Sequence, residues 1–280
     1  MRNLLSAGFV RLWKSKMLWA SCAAMGATTL SAVWTRYSEG VRYGYHSSLD
    51  SVFITYVLFI AVFIPIVCTL FVGVEHSDGT IRNKLIVGHS KENVYLSNLI
   101  LCCTASLIIC TFAVVPGICL GLPLLGGFAM GTTRAALFFA AVYTLALVWA
   151  ALSNLLAMLV SRRAIAIVAV VLVVLALVMV GVYLEGRLTA PPTLQGYVLS
   201  ESGELVPTEP SPNPRYLQEG PVRGAFEFLC DFTPGGQTLQ HIQFAGRAAD
   251  RPGLLIAYDG AIFAAVTAAG VLLFRRKDLK

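Results

Sequence analysis

Charge is what this sequence has least of. Only 13% of its 280 residues are Asp, Glu, Lys or Arg, against 57% hydrophobic, and the mean hydropathy is +0.74. A soluble core cannot absorb that much apolar side chain. Several stretches run about 20 residues or more without a charge, the length that crosses roughly 30 Å of hydrocarbon. Intrinsically disordered, fibrous and disulfide-rich classes are excluded by the same composition. Also missing is any G-x-x-x-x-G-K-[ST] loop, so no phosphate cradle of that kind exists and any ATP dependence has to come from another chain. The four histidines, His46, His76, His89 and His241, fall in predicted loops or at span ends, which leaves no Ser/His dyad inside a membrane. Intramembrane carboxylates are nearly absent, which argues against an ion-coupled carrier or a stand-alone channel. Asp259, a few residues into the last span, is the exception, and its place near the interface gives it a structural or interfacial reading. Of the seven cysteines, Cys22, Cys68, Cys102, Cys103, Cys110 and Cys119 lie in apolar segments and Cys230 stands alone in a loop. They read as small apolar fillers, not as a disulfide framework.

What is present is an all-α polytopic membrane protein. Residues 1–16 carry Arg2, Arg11, Lys14 and Lys16, with Leu5, Phe9, Leu12 and Trp13 at helical spacing, an amphipathic helix lying in the interface. Six spans follow, at about 17–34, 52–74, 95–125, 135–160, 164–184 and 254–274. The first has no small-x-small cleavage site after it and is read as uncleaved. Pro65 in the second and Pro116 and Pro123 in the third predict kinks or local unwinding.

Orientation follows from Lys and Arg in the short loops. One side collects Arg2, Arg11, Lys14, Lys16, Arg82, Lys84, Lys91, Arg162, Arg163, Arg275, Arg276, Lys277 and Lys280, the other only Arg36, Arg42 and Arg134. Both termini are therefore expected in the cytoplasm. The net charge of +6 is a matter of topology and no nucleic-acid partner is expected. The connection 185–253, which holds Arg187, Arg215, Arg223, Arg247 and Arg251, is the one sizeable extramembrane segment. Its stretch 189–214, rich in Pro, Ser and Glu, reads as a flexible loop. Around a candidate helix at 224–232, Arg223, Glu227 and Asp231 recur at i, i+4 and i+8 and can pair along one face.

The inner connection 75–94 is too apolar for an idle loop. Thr80, or Asp78 before Gly79, can cap a short helix, on which Ile81, Leu85 and Ile86 share a face flanked by Arg82 and Lys84. Such a helix either docks into a partner's groove or packs on the protein's own surface. Glu75, His76, Asp78 and His89 fit no zinc spacing, so a solvated loop is the simpler reading. Gly88-His89-Ser90 lacks the preceding strand that a nucleophile turn needs.

The run Asp78-Gly79-Thr80-Ile81-Arg82-Asn83-Lys84-Leu85-Ile86-Val87-Gly88-His89-Ser90 resembles the inner loop of bacterial ABC transporter permeases of the type-2, export-type family. Similar to the same family are Asn213-Pro214-Arg215-Tyr216, the run from Glu227 to Gln237, the basic end Phe274-Arg275-Arg276-Lys277-Asp278-Leu279-Lys280, and Trp13-Lys14-Ser15-Lys16 at the close of an elbow helix.

The resemblance implies six transmembrane helices with an elbow helix at 1–16, a coupling helix in 75–94, and short re-entrant helices before the last span. It also implies a second permease subunit, identical or paralogous, and cytosolic ATPase subunits that bind and hydrolyse MgATP. This chain would then have no ATPase site or cofactor of its own. Thr80, Ile81, Arg82, Lys84 and Leu85 become the expected ATPase-coupling residues. The expected function is the bacterial plasma-membrane subunit of an exporter for an amphipathic peptide, drug or lipid-like substrate. The alternative is a sensor or resistance subunit that captures such a molecule through its outer loop, without a continuous transport path.

Overall fold

The computed structural model describes residues 1–44, 48–199, 205–243 and 251–278. His46, Arg247, Leu279 and Lys280 lie outside the described residues. The helices are α1 (Arg2–Trp13), α2 (Lys16–Tyr43), α3 (Asp50–Ser77), α4 (Thr80–Ile86), α5 (Lys91–Leu125), α6 (Thr132–Leu159) and α7 (Arg163–Leu188). Four short strands follow, β1 (Thr193–Leu194), β2 (Tyr197–Leu199), β3 (Leu205–Pro207) and β4 (Ser211–Pro212), and then α8 (Pro221–Phe232), α9 (Pro234–Gln243) and α10 (Pro252–Arg276). Six of these helices, α2, α3, α5, α6, α7 and α10, are long and apolar enough to cross a membrane. The protein is all-α and polytopic.

Because hydrocarbon offers no hydrogen bonds, each apolar run satisfies its backbone internally as a helix. Pro65, Pro116 and Pro123 each remove one donor, yet α3 and α5 continue through them without unwinding. Thr69 Oγ1 adds a bond of 2.6 Å to the Pro65 carbonyl one turn on. The central helix is α3, packed by α2, α5, α6, α7 and α9. Its most apolar window is 61% buried, against 22% for α7 and α10, which lie at the periphery. Tyr56 and Phe138 are buried, and Phe59, Phe63, Phe139 and Tyr143 pack against the same core, so these aromatics serve packing.

The elbow helix turns a different face to the protein than its apolar spacing suggested. Leu4, Gly8 and Leu12 are buried where α1 packs on α5, whereas Phe9 and Trp13 are 40% and 62% exposed. Bulky residues that a soluble protein would hide can face acyl chains here, leaving the slimmer stripe for close packing.

At the far end from the termini, residues 193–199 and 205–212 are not simply a flexible loop. Thr193 and Leu194 pair with Pro212 and Ser211, and Tyr197 to Leu199 pair antiparallel with Pro207 to Leu205. Asn213 closes the base, its backbone N–H donating to Pro192 O at 3.0 Å and its Nδ2 to Pro191 O at 2.8 Å. Beyond it, Arg223 and Glu227 pair at 3.2 Å along α8. Asp231 leaves that row and accepts from Gln240 Nε2 of α9 at 2.8 Å. Helix α9 is pressed onto α7 so closely that a Cβ at Gly235 would overlap the Leu177 carbonyl.

Asp259 is fully buried. Its Oδ2 accepts from Thr144 Oγ1 at 2.6 Å, and Thr144 lies near the middle of α6. The carboxylate is thus covered where α10 packs on α6.

Candidate functional site

The apolar run of α3 ends at Val74, and Glu75 is the first charge after Asp50. Sequence reasoning placed Glu75 and His76 in a loop, but both continue α3. Glu75 is 1% exposed. Arg11 Nη1 of α1 approaches its Oε1 at 2.6 Å, Lys84 Nζ of α4 binds the same oxygen, and Asn98 Nδ2 of α5 donates to Oε2 at 2.7 Å. One turn earlier, Phe71 presents its ring 4.0 Å from the Arg11 guanidinium carbon, a cation–π contact. One carboxylate therefore ties together four helices. A buried carboxylate is tolerated only when its lost hydration is replaced by charged and hydrogen-bonding partners, and this one has both.

Helix α4 is bounded by two glycines in the left-handed region, Gly79 (φ 67°) and Gly88 (φ 96°), where a Cβ would be strained. The expected side-chain cap from Asp78 or Thr80 is not made: Gly79 occupies the cap position, and Thr80 Oγ1 instead donates back to the Glu75 carbonyl at 3.1 Å. The C-terminal turn closes through Gly88 N to Leu85 O at 3.0 Å and His89 N to Lys84 O at 3.2 Å. Ser90 then caps α5 by accepting from Asn93 N at 3.2 Å.

The expected common face of Ile81, Leu85 and Ile86 is divided. Ile81 is 2% exposed and Leu85 packs half-buried on the core. Ile86 and Val87 are 73% and 77% exposed, and Arg82 is exposed beside them. The expected coupling residues thus fall into two sets. Thr80, Ile81, Lys84 and Leu85 hold the helix to the bundle, and Arg82 faces away from it.

The basic C-terminal end also acts locally. Lys91 Nζ reaches the carbonyls of Lys277 at 2.7 Å and Arg275 at 3.1 Å, and Lys277 Nζ donates to Met158 O at 2.9 Å. Cations thereby meet the unpaired carbonyls where α10 and α6 end. Burial pushes the Lys277 ammonium below its ordinary pKa. Arg275 and Glu92 add an exposed pair at 3.5 Å.

This arrangement offers no assembled nucleophile and base, and among the described residues no three of His, Cys, Asp and Glu gather to hold a metal. What it does provide is a direct tie between α4 and the end of α3, through Thr80 and Lys84 to Glu75. Glu75, Arg11 and Asn98 were missed by sequence reasoning, as were Ile86 and Val87 as the free apolar pair. A lone carboxylate ending a long uncharged run was the available sign of Glu75. Nothing in the sequence pointed to its partners, which come from three other helices.

A model of the family described as "ABC-2 family transporter protein" matches residues 4–185, from the elbow helix almost to the end of α7. No curated protein matches the chain.

Proposed function

Because this chain belongs to the ABC-2 family of transporter proteins, we propose that its basic, terminus-bearing end lies in the cytosol of a bacterial plasma membrane and that α4 is the element which ABC ATPase subunits push. As the permease subunit of an ABC transporter, a multi-pass membrane protein, it works with ATPases carried on other chains. The observation that carries the proposal is the division of α4: Arg82, Ile86 and Val87 are free, while Lys84 and Thr80 are tied to Glu75. The free set offers a groove apolar anchors and a charge. The tied set passes motion to α3 directly and to α5 through Asn98.

In this reading the partner ATPases bind MgATP and close on it, moving α4 in each of two permease subunits, identical or paralogous. Export of an amphipathic peptide, drug or lipid-like molecule is the transport that fits a bundle whose peripheral helices α7 and α10 expose mainly apolar side chains. Co-purification with the cognate ATPase in mild detergent, with ATP hydrolysis measured for wild type and the R82E/I86A double variant, tests it. We expect the double variant to insert normally, to lose the ATPase and to transport nothing. A stable complex with unchanged transport would overturn the assignment.

A further inference from the structure

Beside the Glu75 cluster, where α1 meets α2, lies a cavity of about 240 Å³. Arg11, Lys14 and Arg163 bring three cations to it, and Leu70, Phe71 and Val74 give it an apolar wall. No carboxylate lines it: the Glu75 carboxylate is turned to Arg11 Nη1, Lys84 and Asn98. Arg11 lines the cavity with its guanidinium engaged by the Glu75 carboxylate and the Phe71 ring. Ser15, also on the lining, is the N-cap of α2 and makes no side-chain capping bond, so its hydroxyl and the unpaired N–H groups of the first turn are unspent. Arg163 reaches the site by laying its stem across Gly73 of α3, where a Cβ would come within 2.9 Å of the Arg163 Cγ.

The level of the cavity identifies what would fill it. It lies where α2 and α7 begin and α3 ends, which is the plane where a spanning helix meets headgroups. Trp13, closing α1, and Trp19, in the first turn of α2, meet edge to face at 5.2 Å, with Trp19 Nε1 donating to Trp13 O at 2.8 Å. Partly exposed tryptophans of this kind anchor at the headgroup level. A cationic pocket with an apolar wall, opening between helices at that depth, matches the phosphate of an anionic phospholipid with its acyl chain running along α3. We propose that this cavity is a binding site for an anionic phospholipid headgroup, held by Arg11, Lys14 and Arg163. Because Arg11 also grips Glu75, an occupied site fixes the elbow against the end of α3.

The test is the thermal denaturation midpoint of the purified full chain in neutral detergent, titrated separately with dihexanoyl phosphatidylglycerol, dihexanoyl phosphatidylcholine and inorganic phosphate. The midpoint should rise saturably with phosphatidylglycerol and hardly at all with the other two. In the K14Q/R163Q variant the half-saturating concentration should rise by about fivefold for each charge removed. R163K should keep the response, as should R2Q/R276Q, which takes the same charge from the same end of the bundle away from the cavity. An unchanged titration in K14Q/R163Q, or an equal loss in R2Q/R276Q, would overturn the site. A response to inorganic phosphate matching that to phosphatidylglycerol would overturn the lipid assignment. The readout involves no ATPase, so its failure is distinct from failure of the coupling proposal.

Discussion

Arg11 and Glu75 meet at 2.6 Å although one lies in the elbow helix and the other at the end of the central span. Their contact makes α1 a brace on α3, and Lys84 on the same oxygen extends the brace to α4. The carboxylate has little water to fall back on, so the three side chains stand or fall together.

Replacing Glu75 by Ala leaves Arg11 and Lys84 facing each other without an anion. Breaking a buried pair in this way costs about 3–5 kcal/mol, and partial exposure of both cations places this case at the lower end. We expect a lower denaturation midpoint in detergent and a loss of ATP-driven transport greater than the loss of ATPase binding. A midpoint equal to wild type would remove Glu75 from its structural role.

The two sides of α4 should separate by phenotype. Ile81→Ala opens a void in a packed site and should cost about 2–5 kcal/mol of stability. Ile86→Ala, at an exposed position, should leave the midpoint within about 0.5 kcal/mol of wild type and weaken ATPase association instead. Denaturation and pull-down on the same two variants check this, and the reverse pattern would mean that α4 presents its other face.

His241, in α9 outside the six long apolar helices, should make the fold sensitive to acid. Burial lowers its pKa from 6.5 to about 4, and its Nδ1 lies 2.7 Å from the Gln237 carbonyl. With the folded value depressed, the unfolded chain binds the proton first. The contribution is therefore full above pH 6.5 and is lost progressively as pH falls toward 4, a total of about 3 kcal/mol. His241→Asn should flatten that part of the midpoint-versus-pH curve, and an identical curve for the variant would refute the account.

Gly235→Ala forces α9 off α7, since the added methyl would overlap the Leu177 carbonyl. Overpacking of this kind costs about 1–3 kcal/mol. The loss should register as faster proteolysis of the 185–253 segment, while the inner end keeps its ATPase association. Unaltered proteolysis would show that α9 has room to shift.

The spans were readable because hydrocarbon thickness and backbone satisfaction permit one answer for a long uncharged run. The short α4 was readable for a local reason as well, since glycines on either side of Thr80–Ile86 bound it. Arg223 with Glu227 was visible as an i, i+4 pair on one helix. Asp231 was not, because its partner Gln240 belongs to the next helix and only the α8–α9 turn brings them together. The pairing of 193–199 with 205–212 was missed because Pro and Ser conceal a register set by cross-strand partners.

The sequence by itself determined that this chain lives in a membrane, how many times it can cross, and which end gathers its basic residues. Those follow from transfer energies summed along the chain. Tertiary structure alone decided which face of each helix is used: that Leu4, Gly8 and Leu12 hold the elbow, that Ile81 turns in while Ile86 turns out, and that Glu75 is a buried junction. In a membrane nearly every helix face is apolar, so hydrophobicity cannot tell a lipid-facing side from a packed one. That choice is made by close fit and by where a few polar groups find partners, and both depend on helices far apart in sequence.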